Sequence, residues 1–538
     1  MGLDIRTAQR ENQMVYAAAA GYIAKVKIEP FGFGRAIYIN HPNGLTTLYA
    51  HLNDFNPALE KYVREQQYKQ QTWEITLEFT PQQFPVAKGS FIAYSGNTGG
   101  SGGPHVHFEI RDTKTDKCLN PLLFGLPLTD NVPPTLVKLA MYDRSFSVYE
   151  QTPKLYPLKK GPGGYTLSSP VLKTGLNKLS FGIQAYDRIN GSNNQDGIYS
   201  AKLFVDNNPV VGFGIDSVGY DATRYMNAQI DYRYKYNGGP YLQHLSQLPG
   251  DFGPVYTQYS GDGTIVLSDT LVHNIRIEIS DAYSNKSQLN FSVQHDDNLA
   301  TESSHPTHSH FIPGEINVLE KSDFELYMPE DCLYDTIPVF YYSTNKQSKG
   351  SLSPEHSLNN PSTPVHYDFT VRIKPTESLP GKWYDKVVIQ RTYGSKKTIR
   401  KAKYENGFLV ADFKEFGNFQ AFLDLEPPTI NNLGYGDTVN LSAASRIVFR
   451  PDDNFDVKSF RAELDGQWLR FTNDKGRSYI YKFDERCPYG VHELKVTVED
   501  LTGNTTTKSW WFKKYPYTPP PKKKVKRKTS GKKKTRKK

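Results

Sequence analysis

Two histidines stand two apart at the end of a glycine-rich run, Ser95-Gly96-Asn97-Thr98-Gly99-Gly100-Ser101-Gly102-Gly103-Pro104-His105-Val106-His107-Phe108-Glu109. Their alternation with apolar residues predicts a β-strand, on which His105, His107 and Glu109 share one face while Val106 and Phe108 pack behind. Two imidazoles aimed at one point suit metal ligation or proton transfer, and the spacing also fits two ordinary strand histidines. The glycines let backbone or substrate approach closely, but the run lacks the Gly-Lys-Ser/Thr ending of a phosphate-binding loop. Glu109 either orients an imidazole from behind or pairs with Arg111, next along the same face.

Three further stretches give these histidines a context. Thr47-Leu48-Tyr49-Ala50-His51-Leu52 is a strand ending in a third histidine, the chain opens on Gly2-Leu3-Asp4-Ile5, and Gly32-Phe33-Gly34 and Asn40-His41-Pro42-Asn43-Gly44 lie between. In this order, over residues 1–126, they resemble the lysostaphin-like (LytM-type) zinc metalloendopeptidases, which hydrolyse peptide cross-links or stem peptides of bacterial peptidoglycan. The resemblance implies a Zn2+ cofactor with Asp4 and His107 as ligands and His105 and His51 as the catalytic pair. It also implies a first ligand, a histidine four residues before the aspartate, which here falls just ahead of Met1. We therefore expect a histidine codon immediately upstream, preceded by more of the peptidase domain and an export signal, and a cell-envelope location in periplasm or at the cell surface. The alternative is a catalytically inactive, metal-deficient wall-binding or scaffold protein.

The chemistry accounts for these residue types. A catalytic zinc keeps three protein ligands and one open position for water, whose pKa it brings toward 7. A neutral histidine beside it can accept a proton, and a protonated one can hold a developing oxyanion.

The scaffold that must position them is mostly β. Aromatic residues make up 13% of the 538 residues, including 36 tyrosines, and short alternating runs end repeatedly in Gly, Asn or Asp. The sequence predicts an antiparallel β-sheet peptidase domain followed by immunoglobulin-like β-sandwich domains and a disordered basic tail. The expected divisions are 1–126, a β-sandwich region 127–300, a β-rich domain 301–425, an immunoglobulin-like domain 426–515 and a Lys-rich tail 516–538. Proline pairs mark two linkers, Asp130-Asn131-Val132-Pro133-Pro134-Thr135 and Glu426-Pro427-Pro428-Thr429. Alternating strands run into Asp-rich turns at Asp187/Asn190, Asp281/Asn285 and Asp500/Asn504, as in immunoglobulin-like folds. Within 1–126, Gly21–Ile28 reads as a strand. Residues 53–85 read as an insertion, a short helix then a strand, that either walls the substrate groove or is only a structural elaboration.

Other signals are weaker. His305, His308 and His310 form a polar linker in preference to a metal site. His41 is structural, and His273 and His492 are ordinary surface positions. Residues 187–196 lack the closing glutamate of an EF-hand loop and read as a turn. Cys118, Cys332 and Cys487 lie far apart, which argues for buried or free thiols. Twelve of the last seventeen residues are Lys or Arg, so the net charge of +9 belongs to the tail. With no interleaved aromatics to stack on bases, the tail suits an anionic envelope surface and not nucleic acid. The longest early apolar run, ten residues from Val15 to Ala24, is too short for a transmembrane segment.

Overall fold

The computed structural model describes residues 1–299, 309–345, 348–476 and 478–519. His305, His308 and the Lys-rich tail from Pro520 onward lie outside the described residues. The chain is mostly β, with 46% of residues in strands and 8% in helices. No helix among the described residues is long and apolar enough to cross a membrane.

The N-terminal unit is an antiparallel sheet in which Leu3–Arg6, Cys118–Leu119 and Leu45–Ala50 all pair with His105–Asp112, followed outward by Arg35–Asn40, Gly21–Ile28 and Ile75–Glu78. Alternation dictates its layers. Val106, Phe108 and Ile110 join Val26, Ile37, Ile39 and Tyr49 in the core, leaving the even-spaced polar positions for the opposite face. Gly21–Ile28 is a strand, as its alternation requires.

Of the two readings of the insertion, its position matches the structural elaboration. Its helix, Pro57–Gln70, is capped by Asn56 and buries Leu59, Val63 and Gln67. Its strand, Ile75–Glu78, pairs with Gly21–Ile28 at the sheet edge opposite the His105–Asp112 strand. The helix faces another partner: Arg64 lies 4.0 Å from Asp484, Arg470 donates to Gln67 at 3.2 Å, and Tyr68 meets Trp468 edge-on at 5.3 Å. The insertion is thus a platform for the C-terminal unit and not a groove wall.

Strands between Thr135 and His295 enclose a second core around Leu139, Phe181, Ile277 and Phe291. Two five-stranded sheets between Asn317 and Leu423 pack Phe324, Phe369, Phe413 and Phe419 between them. That core continues into the second unit through Tyr142, Val148 and Leu242. The C-terminal unit, Thr438–Lys514, pairs a five-stranded and a two-stranded sheet around Phe449, Leu494, Val496 and Phe512.

Among the weaker signals, His41 is structural: its ring nitrogens meet the Ala20 carbonyl and Thr47 Oγ1, both at 2.8 Å. His273 sits at the surface between Asp206 and Asp269. His492 is a correction, being buried with its ring held by Asp465 at 2.6 Å and the Pro488 carbonyl at 2.8 Å. The three cysteines are free and buried.

Candidate active site

Asp4, His51, His105 and His107 come together on one face at the edge of the N-terminal sheet. The register makes the convergence: Asp4 pairs with His107 and Arg6 with His105, while Ala50, the residue before His51, pairs with His107 from the other side. His51 lies just past its strand at φ +59°, a left-handed conformation that costs a non-glycine residue of order 1–3 kcal/mol. The turn carries its ring to 4.8 Å from that of His105 and 5.9 Å from that of His107.

The glycine-rich run holds the histidines from behind. Gly34 and Gly99 both have positive φ, and a Cβ on Gly99 would lie 2.3 Å from the Gly34 nitrogen, so only glycines allow the two backbones to meet. Gly100 N–H donates to the Gly32 carbonyl at 2.8 Å, and Thr98 Oγ1 donates to the Leu52 carbonyl at 2.9 Å. Fixed in this way, the run presents two carbonyls to two imidazoles. Thr98 O accepts from His51 Nδ1 and Gly103 O from His105 Nδ1, each at 2.8 Å. A carbonyl can only accept, so both rings carry the proton on Nδ1 and expose Nε2.

His107 is held the other way round. Its Nε2 meets Glu109 Oε1 at 2.9 Å, which leaves Nδ1 facing Asp4 Oδ1 at 3.0 Å. Glu109 meets both candidate partners: its Oε1 lies against His107, and Arg111 binds its other oxygen with Nε at 2.8 Å and Nη2 at 2.6 Å. Cys118 Sγ and Tyr220 Oη donate to the same carboxylate, each at 3.2 Å. Burial alone would raise the Glu109 pKa, but the hydrogen bond from His107 and the Arg111 charge outweigh it and hold it at about 2. Burial likewise opposes charging of His107, yet Glu109 and Asp4 raise its pKa above the ordinary value. Burial, partly offset by the Thr98 carbonyl and reinforced by the charges of His105 and His107, lowers that of His51.

Whether a metal fits is answered by the donors. With Nε2–H committed to Glu109, His107 Nδ1, once it gives up the proton it shares with Asp4 Oδ1, and that carboxylate oxygen would turn lone pairs toward one ion, and a carboxylate behind a ligating imidazole is the usual support of such a ligand. The pair fits two positions of a catalytic zinc. Among the described residues, groups of three donors close enough for one ion occur only elsewhere.

Sequence reasoning missed three contributors. Tyr220 reaches Glu109 from the second unit, and Lys475 reaches the glycine-rich run from the C-terminal unit, donating to Ser101 O at 2.7 Å and Asn97 Oδ1 at 3.2 Å. No local pattern signals a partner so distant in the chain. Ser101, whose Oγ lies 3.2 Å from His105 Nδ1, was legible only as part of the run. A cavity of about 910 Å³ opens on the reverse of the strand, where Leu3, Ile5, Val15, Val106 and Phe108 line it.

Several comparisons with known proteins fall on the same unit. A DD-carboxypeptidase/endopeptidase, Mpg, of Neisseria meningitidis is 34% identical over 113 residues, covering 21% of this chain and 20% of that protein. A protein of Haemophilus influenzae described as an uncharacterized metalloprotease is 32% identical over 130 residues, covering 24% and 22%. The chain thus spans about a fifth of the length of these curated relatives. The catalytic domain of lysostaphin from Staphylococcus simulans is 22% identical, covering 21% of this chain and 71% of that one, at a TM-score of 0.16. Residues 309–424 match the Zu5-like domain. Residues 1–68 match Peptidase family M23, so the N-terminal unit of this chain is similar to that family.

Proposed function

We propose that the N-terminal unit is a zinc-dependent endopeptidase that hydrolyses peptide cross-links or stem peptides of bacterial peptidoglycan in the cell envelope. The observation that carries this reading is the opposed orientation of the imidazoles: His107 offers Nδ1 beside Asp4, while His51 and His105 offer Nε2 to the same space. Asp4 and His107 would hold the metal, which when bound supplies a polarised water and a Lewis acid. The chain's own groups do the rest. His51, kept neutral at physiological pH, and His105 each accept a proton at Nε2, and either, once charged, presents that N–H to a developing oxyanion or a leaving amine. The Thr98 and Gly103 carbonyls stabilise the charged rings and keep them from turning. The name of one curated relative, a DD-carboxypeptidase/endopeptidase, supports peptide-bond hydrolysis as the reaction.

The second reading, a wall-binding protein without metal, is favoured by one observation: Asp4 and His107 are two donors where a catalytic zinc takes three. Zinc analysis beside turnover of purified peptidoglycan separates the two, run on the chain as it stands and on a form with a histidine added directly before Met1. The expected result is zinc and turnover in the extended form. His107→Ala should empty it of zinc, whereas His105→Ala and His51→Ala should retain most of the metal and lose roughly 10²–10⁴ in rate. Neither zinc nor turnover in the extended form would favour the wall-binding protein, and loss of zinc in His105→Ala as complete as in His107→Ala would refute the assigned roles.

A further inference from the structure

Two linkers carry the same unexplained cluster of carboxylates. At the first, Asp130, Asp187 and Asp281 bring oxygen atoms within 4.8 Å of one another, and at the second Asp424, Asp453 and Asp500 do the same. The residues come from matching places. Asp130 and Asp424 each open the pattern Asp-x-x-Pro-Pro-Thr, and Asp281 and Asp500 each open Asp-x-x-x-Asn at the end of a long strand.

The wiring is repeated as well. Asp281 Oδ1 accepts from the N–H groups of Tyr283 and Asn285, both at 2.9 Å, and Oδ2 accepts from Asn285 Nδ2 at 2.7 Å. Asp500 Oδ1 accepts from the N–H groups of Thr502 and Asn504, both at 2.8 Å, and Oδ2 accepts from Asn504 Nδ2 at 2.8 Å. Each asparagine then donates to the backbone carbonyl of the linker aspartate, Asn285 to Asp130 and Asn504 to Asp424, both at 3.2 Å.

What this wiring leaves over points to a ligand. Asp187 is 6% exposed, yet its Oδ1 has no hydrogen-bond partner, and neither do Asp130 Oδ2 or Asp453 Oδ1. No ion pair between described residues ends on any of the six carboxylates. A buried carboxylate oxygen without a donor costs kilocalories, and three negative charges this close repel one another unless something positive lies among them.

We propose that each linker binds one calcium ion, held by Asp130, Asp187 and Asp281 at the first and by Asp424, Asp453 and Asp500 at the second. The donors are all oxygen, which suits a hard cation and not zinc. Calcium accepts irregular sets of six to eight oxygens that include backbone carbonyls and water, whereas magnesium demands a near-ideal octahedron. Each site joins the linker to two loops of the unit that follows, so calcium would fix the angle at which the Pro-Pro segment enters that unit. Residues 187–196 are then more than the turn read from sequence, because their first residue is a ligand in a site assembled from distant segments.

The test is calorimetric titration of the full chain, stripped with chelator and repurified, with calcium chloride alone and then magnesium chloride alone. We expect two equivalents of calcium with dissociation constants of about 10⁻⁴ to 10⁻³ M, the range of extracellular calcium modules, and at least tenfold weaker magnesium binding. Asp187→Asn and Asp453→Asn should each lose one equivalent and keep the other, the retained one showing that the variant is folded. His107→Ala should keep both, which separates these sites from the peptidase metal. No saturable calcium binding up to about 10 mM, two equivalents retained in Asp187→Asn, or magnesium bound as tightly as calcium would overturn the proposal.

Discussion

Replacing Glu109 with glutamine tests the arrangement behind His107. The wild-type carboxylate is 3% exposed and accepts hydrogen bonds from His107, Arg111, Cys118 and Tyr220. A carboxyl held at about 2 where the ordinary value is 4.5 corresponds to ~3 kcal/mol of stability, at 1.36 kcal/mol per pH unit. Because the folded-state pKa is the lower one, this contribution is present above pH 4.5 and is lost as pH falls toward 2. The raised pKa of His107 draws on the same hydrogen bond and adds nothing further. Glu109→Gln should therefore be less stable than wild type by ~3 kcal/mol at pH 7, with the gap narrowing at pH 3 and closing near pH 2. Arg111 keeps Asp116 at 2.9 Å and Tyr220 at 3.0 Å, so its charge is not stranded and the loss stays below that of an unpaired buried ion. With the upstream histidine added, zinc affinity should fall roughly 10- to 100-fold, because His107 loses the partner that fixes its tautomer. Urea unfolding of the metal-free protein at pH 7 and pH 3, beside zinc competition with a chromophoric chelator, measures both effects. A stability gap of the same size at both pH values, or unchanged zinc affinity, would refute the reasoning.

Two further outcomes follow from the same geometry. Lys475→Ala removes a charged donor from Ser101 O and Asn97 Oδ1, and with partial exposure taken into account should loosen the seat of the C-terminal unit by about 1 kcal/mol; faster amide hydrogen exchange at 97–101 and at 474–476 checks this, and unchanged exchange would contradict it. The lowered pKa of His51 means that the folded state favours its neutral form, so stability is lost as pH falls below 6.5 and the acid limb of turnover should have its midpoint below 6.5; a midpoint above 6.5 would exclude His51 as the neutral base.

Much of the site was legible because its information is local. Alternation in His105-Val106-His107-Phe108 places both imidazoles on one face whatever the rest of the chain does, and the order of Asp4, His51 and the His105–His107 pair supplied the resemblance. What local pattern could not show was orientation. Which nitrogen His107 presents depends on Glu109, whose own state depends on Arg111, Cys118 and Tyr220, the last of them 111 residues away. The insertion stayed open between two readings for the same reason: Leu59, Val63 and Trp73 announce a packed helix and loop, but nothing in residues 53–85 says that Arg64, Gln67 and Tyr68 face the C-terminal unit. His492 was misread because an alternating strand pattern does not reveal that Asp465 and the Pro488 carbonyl close over its ring.

The units after the N-terminal one are in direct contact with the residues that support its histidine cluster. The second reaches the back of the site, where Tyr220 donates to the carboxylate behind His107 and Ser217–Val218 extends the peptidase sheet beyond Cys118–Leu119. The fourth reaches the front, where Lys475 N–H donates to Pro30 O at 2.8 Å and its Nζ binds the run that presents Thr98 and Gly103 to the imidazoles. Any change in the angle between units would pull on both supports, because each is a hydrogen bond with little tolerance for displacement. The two acidic clusters stand where such angles are set, at the linkers that lead into these same two units. An ion bound there would act on the site without touching it, by holding Tyr220 and Lys475 within reach of Glu109 and Ser101.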